Sequence, residues 1–444
     1  MEIQALFDSM ARHGVKLPRV AIEPDDRAGR RVTAASDIRE GETVLAIPDP
    51  AILTLDLARK SAIGKQMREA DMDLPSGHSY LAAYLLQERK RPDSPFAAYL
   101  GTLPTRFPTV PLYSAKELLP YLRGSFAGSL IVRRKETICR DYLELRDKVP
   151  AFRDVTLKDY FWARTTVVTR VFGVKMRGAS TEAMVPLADM INHKRPPAID
   201  WTYDDEKRAF VMTASRDIAK GEELVDSYGR KPNGRFFVHY GFALESGADD
   251  EIEVHLALPK GDAQSAAKTK ILRRLGGPEG DYRLTNKLRN DDTQRTFTFL
   301  RACAASGSEI ARVAKLVEES KPVPALSARN EISALAMLDR ACAASLAKFD
   351  SPDEAEDLEL LSRPDLTVNV RNAILVRRGE KRLLKSFRTL VGAAIPLLRL
   401  PRKHFFSAAV HEPGEALTCS YLMETALALA PREARPPSFK SIGL

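Results

Sequence analysis

Val185-Pro-Leu-Ala-Asp-Met-Ile-Asn-His193 is an apolar run that stops on two side chains able to donate and accept hydrogen bonds. It is followed by Gly221-Glu-Glu-Leu-Val-Asp-Ser-Tyr228-Gly and by His239-Tyr240-Gly-Phe242. Each piece has a plain explanation when taken alone. Asn-His after apolar residues commonly caps an element, and Tyr-Gly at a strand end is commonly a turn with a half-buried phenol. It is their order along one chain that directs attention to a site: an Asn-His corner, a Gly-Glu turn feeding a strand that ends on a phenol, then a pair of aromatics.

Two segments on either side of this stretch share one pattern. Val32-Thr-Ala-Ala-Ser-Asp-Ile-Arg-Glu-Gly41-Glu-Thr-Val-Leu-Ala-Ile-Pro48 and Val211-Met-Thr-Ala-Ser-Arg-Asp-Ile-Ala-Lys-Gly221-Glu-Glu-Leu-Val225 each run from strand through a polar Gly-Glu turn to a strand with β-branched residues. The pattern predicts two hairpins. They lie too far apart for a solenoid repeat, so the expectation is one duplicated hairpin, set against chance similarity of two ordinary ones. Between them the texture changes. Tyr80-Leu-Ala-Ala-Tyr-Leu-Leu-Gln-Glu88 and Arg133-Arg-Lys-Glu-Thr-Ile-Cys-Arg-Asp-Tyr-Leu143 have helical apolar spacing, while Leu103-Pro-Thr-Arg-Phe-Pro-Thr-Val-Pro111 cannot be regular helix.

After Pro259-Lys-Gly-Asp262 the pattern is helical almost to the end. Ile332, Leu335, Leu338, Cys342 and Leu346 form one apolar stripe, residues 369–390 read as another helix, and Ser351-Pro-Asp-Glu354 matches a capping box. The expected divisions are a β-core over residues 1–55 and 161–259, an inserted helical subdomain over 56–160, and a helical domain over 260–444.

The chain's 444 residues, 44% of them hydrophobic, suffice for two or three packed cores. A formal charge of +9 favours acidic surfaces, but basic and acidic residues alternate throughout, so nucleic acid is not the expected partner. Cys139, Cys303, Cys342 and Cys419 are scattered with no Cys-x-x-Cys pair, which predicts buried small hydrophobes in a reducing compartment and no zinc site. The N-terminal residues lack the pattern of a signal peptide, and no window approaches the ~20 apolar residues of a membrane helix. The expected location is the cytoplasm, or the nucleus in a eukaryote. Oligomeric state is not legible.

The motifs quoted above, with Phe96-Ala-Ala-Tyr-Leu-Gly-Thr-Leu-Pro104, Trp162-Ala, Thr169-Arg-Val-Phe172 and Leu375-Val-Arg-Arg-Gly-Glu-Lys-Arg-Leu383, resemble SET-domain proteins of the Rubisco large-subunit lysine methyltransferase type across nearly the whole chain. The resemblance implies an α+β fold: a knot-like SET β-fold, an inserted helical subdomain, and an all-α C-terminal substrate-binding domain. It also implies S-adenosylmethionine as methyl donor and a lysine-containing protein as acceptor.

Residue by residue, the resemblance makes Tyr228 the catalytic tyrosine at the junction of donor and acceptor pockets. Asn192 and His193 would hold the donor, Arg170 would face its carboxylate, and the strand from Gly29 and Arg30 onwards would wrap its other side. Tyr240 and Phe242 would pack on the donor or on the acceptor's aliphatic stem. Carbonyls of Thr169, Arg170 and Asp189 would surround the methyl or the amine, with Tyr203 walling the acceptor channel. Phe172 is apolar where a histidine-methylating relative carries Asn, which points to lysine. The family usually has Gly-x-Gly before its first strand, whereas Ala28-Gly-Arg-Arg31 keeps only Gly29, so Arg31 either narrows the donor pocket or points outward.

The chemistry such residues serve is in-line displacement, which needs two pockets meeting end to end, a neutral amine and polar oxygens round the methyl group, with neither metal nor nucleophilic side chain. Two alternatives stand beside it. One is a degenerate SET protein acting as a non-catalytic binding module, and the other is a methyltransferase for histidine or a small amine.

Overall fold

The computed structural model describes residues 2–15, 19–25, 29–72, 77–411 and 414–429. Ala28 lies outside them. The chain divides into two compact units, Met1–Tyr113 with Val132–Arg230, and Ser114–Ile131 with Lys231–Leu444.

In the first unit, Val20–Asp25 pairs antiparallel with Gly29–Ala34. Thr43–Pro48 and Ile199–Asp204 flank Ala209–Ala214 in one antiparallel sheet, and Leu53–Thr54 and Val171–Met176 flank Ala179–Met184 in another. Asn192–His193 and Val225–Asp226 form a short parallel pair.

The two similar segments are not hairpins. The strand after Gly41 pairs with the strand before Gly221, and the chain after Gly221 pairs back onto the strand before Gly41, through Thr33 opposite Glu223 and the Leu224 amide on the Val32 carbonyl at 2.8 Å. The exchange is reciprocal down to single bonds. Ile38 and Ile218 trade amide-to-carbonyl bonds of 2.9 and 2.8 Å, Asp217 caps the Glu40 amide, and Asp37 caps the Lys220 amide, both at 2.8 Å. The physical reason lies in the turns. Each holds a buried isoleucine, Ile38 and Ile218 at 1% exposure, and a turn that must bury a side chain is stabilised by a partner turn rather than by folding back on itself.

Helices fill the stretch between these strands. His78–Arg89 is buried on nearly every side, Leu157–Arg170 starts on Thr156, whose hydroxyl accepts the Asp159 amide at 3.1 Å, and residues 103–111 form turns only. The helix Phe126–Lys148 contributes its residues from Val132 onward to this unit.

Among the described residues, the second unit is helical apart from one antiparallel pair, Glu251–Ala257 with Glu279–Thr285. Periodicity alone assigns the latter stretch to helix. The strand forms because Tyr282 and Leu284 alternate onto the core beside Phe299. Ala328–Leu346 is capped by Ser327, and its predicted stripe is buried or packed on the core. Val368–Leu398 is capped by Thr367. The predicted capping box at Ser351 does not form, since the helix begins at Ala355 and Glu354 turns instead to Arg378 and Arg382, 3.3 Å from each. Cys303 and Cys342 are buried, and burial pushes both thiols up to about 12, whereas Cys139 and Cys419 are only half-buried. No helix among the described residues is long and apolar enough to cross a membrane.

Glu380 is fully buried in this unit, its carboxylate accepting the Phe126 and Ala127 amides at 2.9 Å each. Burial pushes its pKa up to about 8 against those bonds, and burial likewise raises nearby Asp250 to about 6. The folded form therefore keeps a proton at Glu380 that the unfolded chain releases near 4.5, and stability falls as pH rises through this window until the folded pKa is passed. Glu380→Gln is expected to flatten the fall between about pH 4.5 and 8, as read from urea midpoints by circular dichroism.

Candidate functional site

The corner at residues 185–193 is set by backbone. Leu187 has φ +69° and ψ −49°, a conformation rare for a side-chain-bearing residue, and its burial holds it there. The reversal returns the Asp189 amide to the Val185 carbonyl at 3.0 Å, then delivers Ile191, Asn192 and His193 onto the short strand beside Val225–Asp226.

Tyr228 meets this corner twice. Its hydroxyl donates to the Ile191 carbonyl at 2.8 Å, and its amide donates to His193 Nδ1 at 3.0 Å. The same Nδ1 lies 3.2 Å from the Asp226 carbonyl, so the imidazole edge is held between the Tyr228 amide and the strand beside it. The two rings lie 5.2 Å apart. Asn192 Nδ2 donates to the Arg30 carbonyl at 3.0 Å and to Glu223 Oε1 at 2.9 Å, joining the strand from Gly29 to the chain after Gly221. Gly29 itself has φ +79° with open space around its missing Cβ, so it is the backbone conformation that calls for glycine. Arg31 points outward, where its Nη2 pairs with Glu23 at 2.8 Å.

Beneath the corner lies a buried polar cluster. Tyr99 donates to Asp189 Oδ2 at 2.6 Å, and Arg170 Nη1 donates to the same oxygen at 3.2 Å and to the Asp189 carbonyl at 2.9 Å. Burial and the Asp189 charge push the Tyr99 phenol well above its ordinary value. Burial opposes the Arg170 charge, but Asp189 more than offsets it, so that pKa lies above the usual arginine value. Arg170 thus has a protein carboxylate as its counter-ion, where a donor carboxylate was expected. Arg170 Nε and Asp189 Oδ1 are buried with no hydrogen-bond partner among the described residues. One unpaired donor and one unpaired acceptor suit a zwitterionic amino-acid group, which S-adenosylmethionine carries.

The expected acceptor residues separate. Phe172 packs edge-on against Trp201 at 5.3 Å and meets Phe210 at 5.0 Å, and Trp201 stacks on Phe210. Tyr203 shares the strand face of Trp201 but gives its hydroxyl to Asp49, which also holds Arg177 and Arg208. The Thr169 hydroxyl is bonded within its own helix, to the Thr165 carbonyl at 2.9 Å. Tyr240 and Phe242 belong to the second unit, where both group with Phe236. Missed from sequence were Tyr99, Trp201, Glu223 and the Ile191 carbonyl. Alternation along Ile199-Asp-Trp-Thr-Tyr203 did carry a signal for Trp201, which lies one pleat from Tyr203 on the same face.

A family model described as SET domain matches residues 29–229, and one described as Rubisco LSMT substrate-binding matches 259–384. The chain carries a SET domain followed by a Rubisco LSMT substrate-binding domain. The first match runs from the Gly29 turn to the Tyr228-Gly corner. The actin-histidine N-methyltransferase of Danio rerio is 29% identical over 398 residues, 85% of this chain and 65% of that protein. Its Homo sapiens counterpart is 28% identical over 80% of this chain and 63% of that protein. The chain therefore spans less than two thirds of these relatives' length. The SET domain of LSMT bound to lysine and AdoHcy superposes with TM-score 0.75 at 21% identity, covering 90% of this chain and 92% of that one. Rubisco LSMT bound to AdoMet gives 0.73 at 21% identity, over 94% and 98%. The SET fold with its helical C-terminal region is thus shared with these structures.

Proposed function

We propose that this SET-domain protein is a zinc-independent, S-adenosylmethionine-dependent protein-lysine N-methyltransferase. The observation that carries the methyltransferase reading is the Tyr228 geometry. Its hydroxyl donates to the Ile191 carbonyl, so toward a reacting group its oxygen acts as an acceptor, as an electropositive methyl or an incoming amine requires. Bound there, the donor supplies an activated methyl group whose carbon–sulfur bond breaks as the new carbon–nitrogen bond forms. The protein's own residues orient and desolvate. Asn192 and His193 present the donor side, Tyr228 stands at the junction, and the amine must reach it having already lost its proton.

Lysine as the acceptor is supported by the Phe172–Trp201–Phe210 wall. The partly exposed rings of Phe172 and Trp201, backed by buried Phe210, suit the stem and head of a lysine, and none of the three is an amide that would fix the second nitrogen of an imidazole. Histidine is the second reading, favoured by the names of the relatives above. Methyl transfer onto a panel of lysine- and histidine-bearing proteins, with the modified residue located by mass spectrometry, distinguishes them. Methyllysine is the expected product. Methylhistidine alone would overturn the lysine assignment, and no transfer to any acceptor, with donor still bound, would favour the binding module.

A further inference from the structure

We propose that the Arg30 side chain receives the α-carboxylate of the methyl donor, the task that sequence reasoning assigns to Arg170. The inference rests on the donor reading above and concerns one subsite of it. Arg30 is half-buried, and its side-chain contacts carry no negative charge. Nη2 donates to the Thr102 carbonyl at 2.9 Å, and Nη1 lies 3.8 Å from Met190 Sδ. No carboxylate is within hydrogen-bonding distance of it among the described residues.

Its neighbours sharpen the imbalance. Arg170 is near enough to repel it, and the one carboxylate of the cluster, Asp189, is already engaged by Arg170 and Tyr99. Tyr99 stays neutral, so this cluster holds two positive charges against one negative. Exposed Glu2 adds only a distant field. Burial first, then Arg170, push the Arg30 pKa below the ordinary arginine value. A guanidinium that has lost part of its water without gaining a counter-ion is a ready site for an arriving anion.

Position favours the donor as the source of that anion. The Arg30 carbonyl is the acceptor for Asn192 Nδ2, and the adjacent Met190 precedes Ile191, whose carbonyl holds Tyr228. A carboxylate meeting Arg30 gains a charge-assisted contact of fork geometry, and the Arg170 Nε donor stands in the same cluster.

The test compares two probes on three proteins. S-adenosylmethionine and decarboxylated S-adenosylmethionine, which lacks only the carboxylate, are titrated calorimetrically into wild type, Arg30→Met and Arg30→Lys. Arg30→Met is expected to weaken S-adenosylmethionine by at least about thirtyfold and to leave the decarboxylated probe within about threefold of wild type, with partial recovery in Arg30→Lys. Equal weakening of both probes would overturn the proposal, because Arg30 would then act only through its backbone and packing. Unchanged S-adenosylmethionine binding by Arg30→Met would overturn it as well. A folded wild type that binds neither probe would remove the donor reading itself, an outcome distinct from the other two.

Discussion

Tyr228→Phe is expected to lower the methyl-transfer rate by about 10²- to 10³-fold, the cost typical of removing one oriented polar group from a reacting centre. Donor affinity should change by no more than about threefold, because the lost oxygen acts where charge shifts during transfer and not where the ground state is held. The geometry explains both halves. The hydroxyl hydrogen is fixed on Ile191 by a 2.8 Å bond, which aims the lone pairs, while ring position is kept by the His193 contact and by the backbone bond to His193 Nδ1. Single-turnover formation of S-adenosylhomocysteine, measured beside calorimetric donor binding, separates the two quantities. A variant within tenfold of the wild-type rate would deprive Tyr228 of its role at the junction.

How far the site could be read from sequence depends on how local each determinant is. Asn192, His193 and Tyr228 stand in short motifs whose order carries the meaning, and the structure brings those three together. Tyr99 was invisible because its meaning is its partner. Asp189 lies 90 positions away, and nothing in Phe96-Ala-Ala-Tyr99 distinguishes a tyrosine on a buried carboxylate from one filling a core. Arg170 was found, but its bond to Asp189 was not, for the same reason.

The fold divides in the same way. Strand, turn and strand are local patterns, and they appear where expected around Gly41 and Gly221. Which strand pairs with which is a non-local choice, decided by the two buried isoleucines and by the reciprocal caps of Asp37 and Asp217. Tyr203 shows a finer limit. The resemblance named Tyr203, but a strand face is shared by every second residue, and the ring beside Phe172 belongs to Trp201.

Asp189→Ala is the second large effect expected, a loss of about 3–5 kcal/mol in the first unit's stability, because it leaves the Arg170 guanidinium buried and the Tyr99 hydroxyl without its acceptor. The loss measures the unpaired charge and not the worth of the pair. Replacing both ions, as Arg170→Met with Asp189→Leu, should therefore recover most of it. Both tryptophans, Trp162 and Trp201, lie in the first unit, so urea unfolding followed by tryptophan fluorescence reports on that unit. The double variant also divides stability from function, since a cluster kept only for stability would tolerate the exchange with donor binding intact. A cluster kept to organise the donor's amino-acid end should regain its unfolding midpoint and still bind S-adenosylmethionine at least about tenfold more weakly than wild type. If stability and donor affinity recover together, the buried ions serve the fold alone; if only stability recovers, the expense of burying them is explained by the ligand they prepare for.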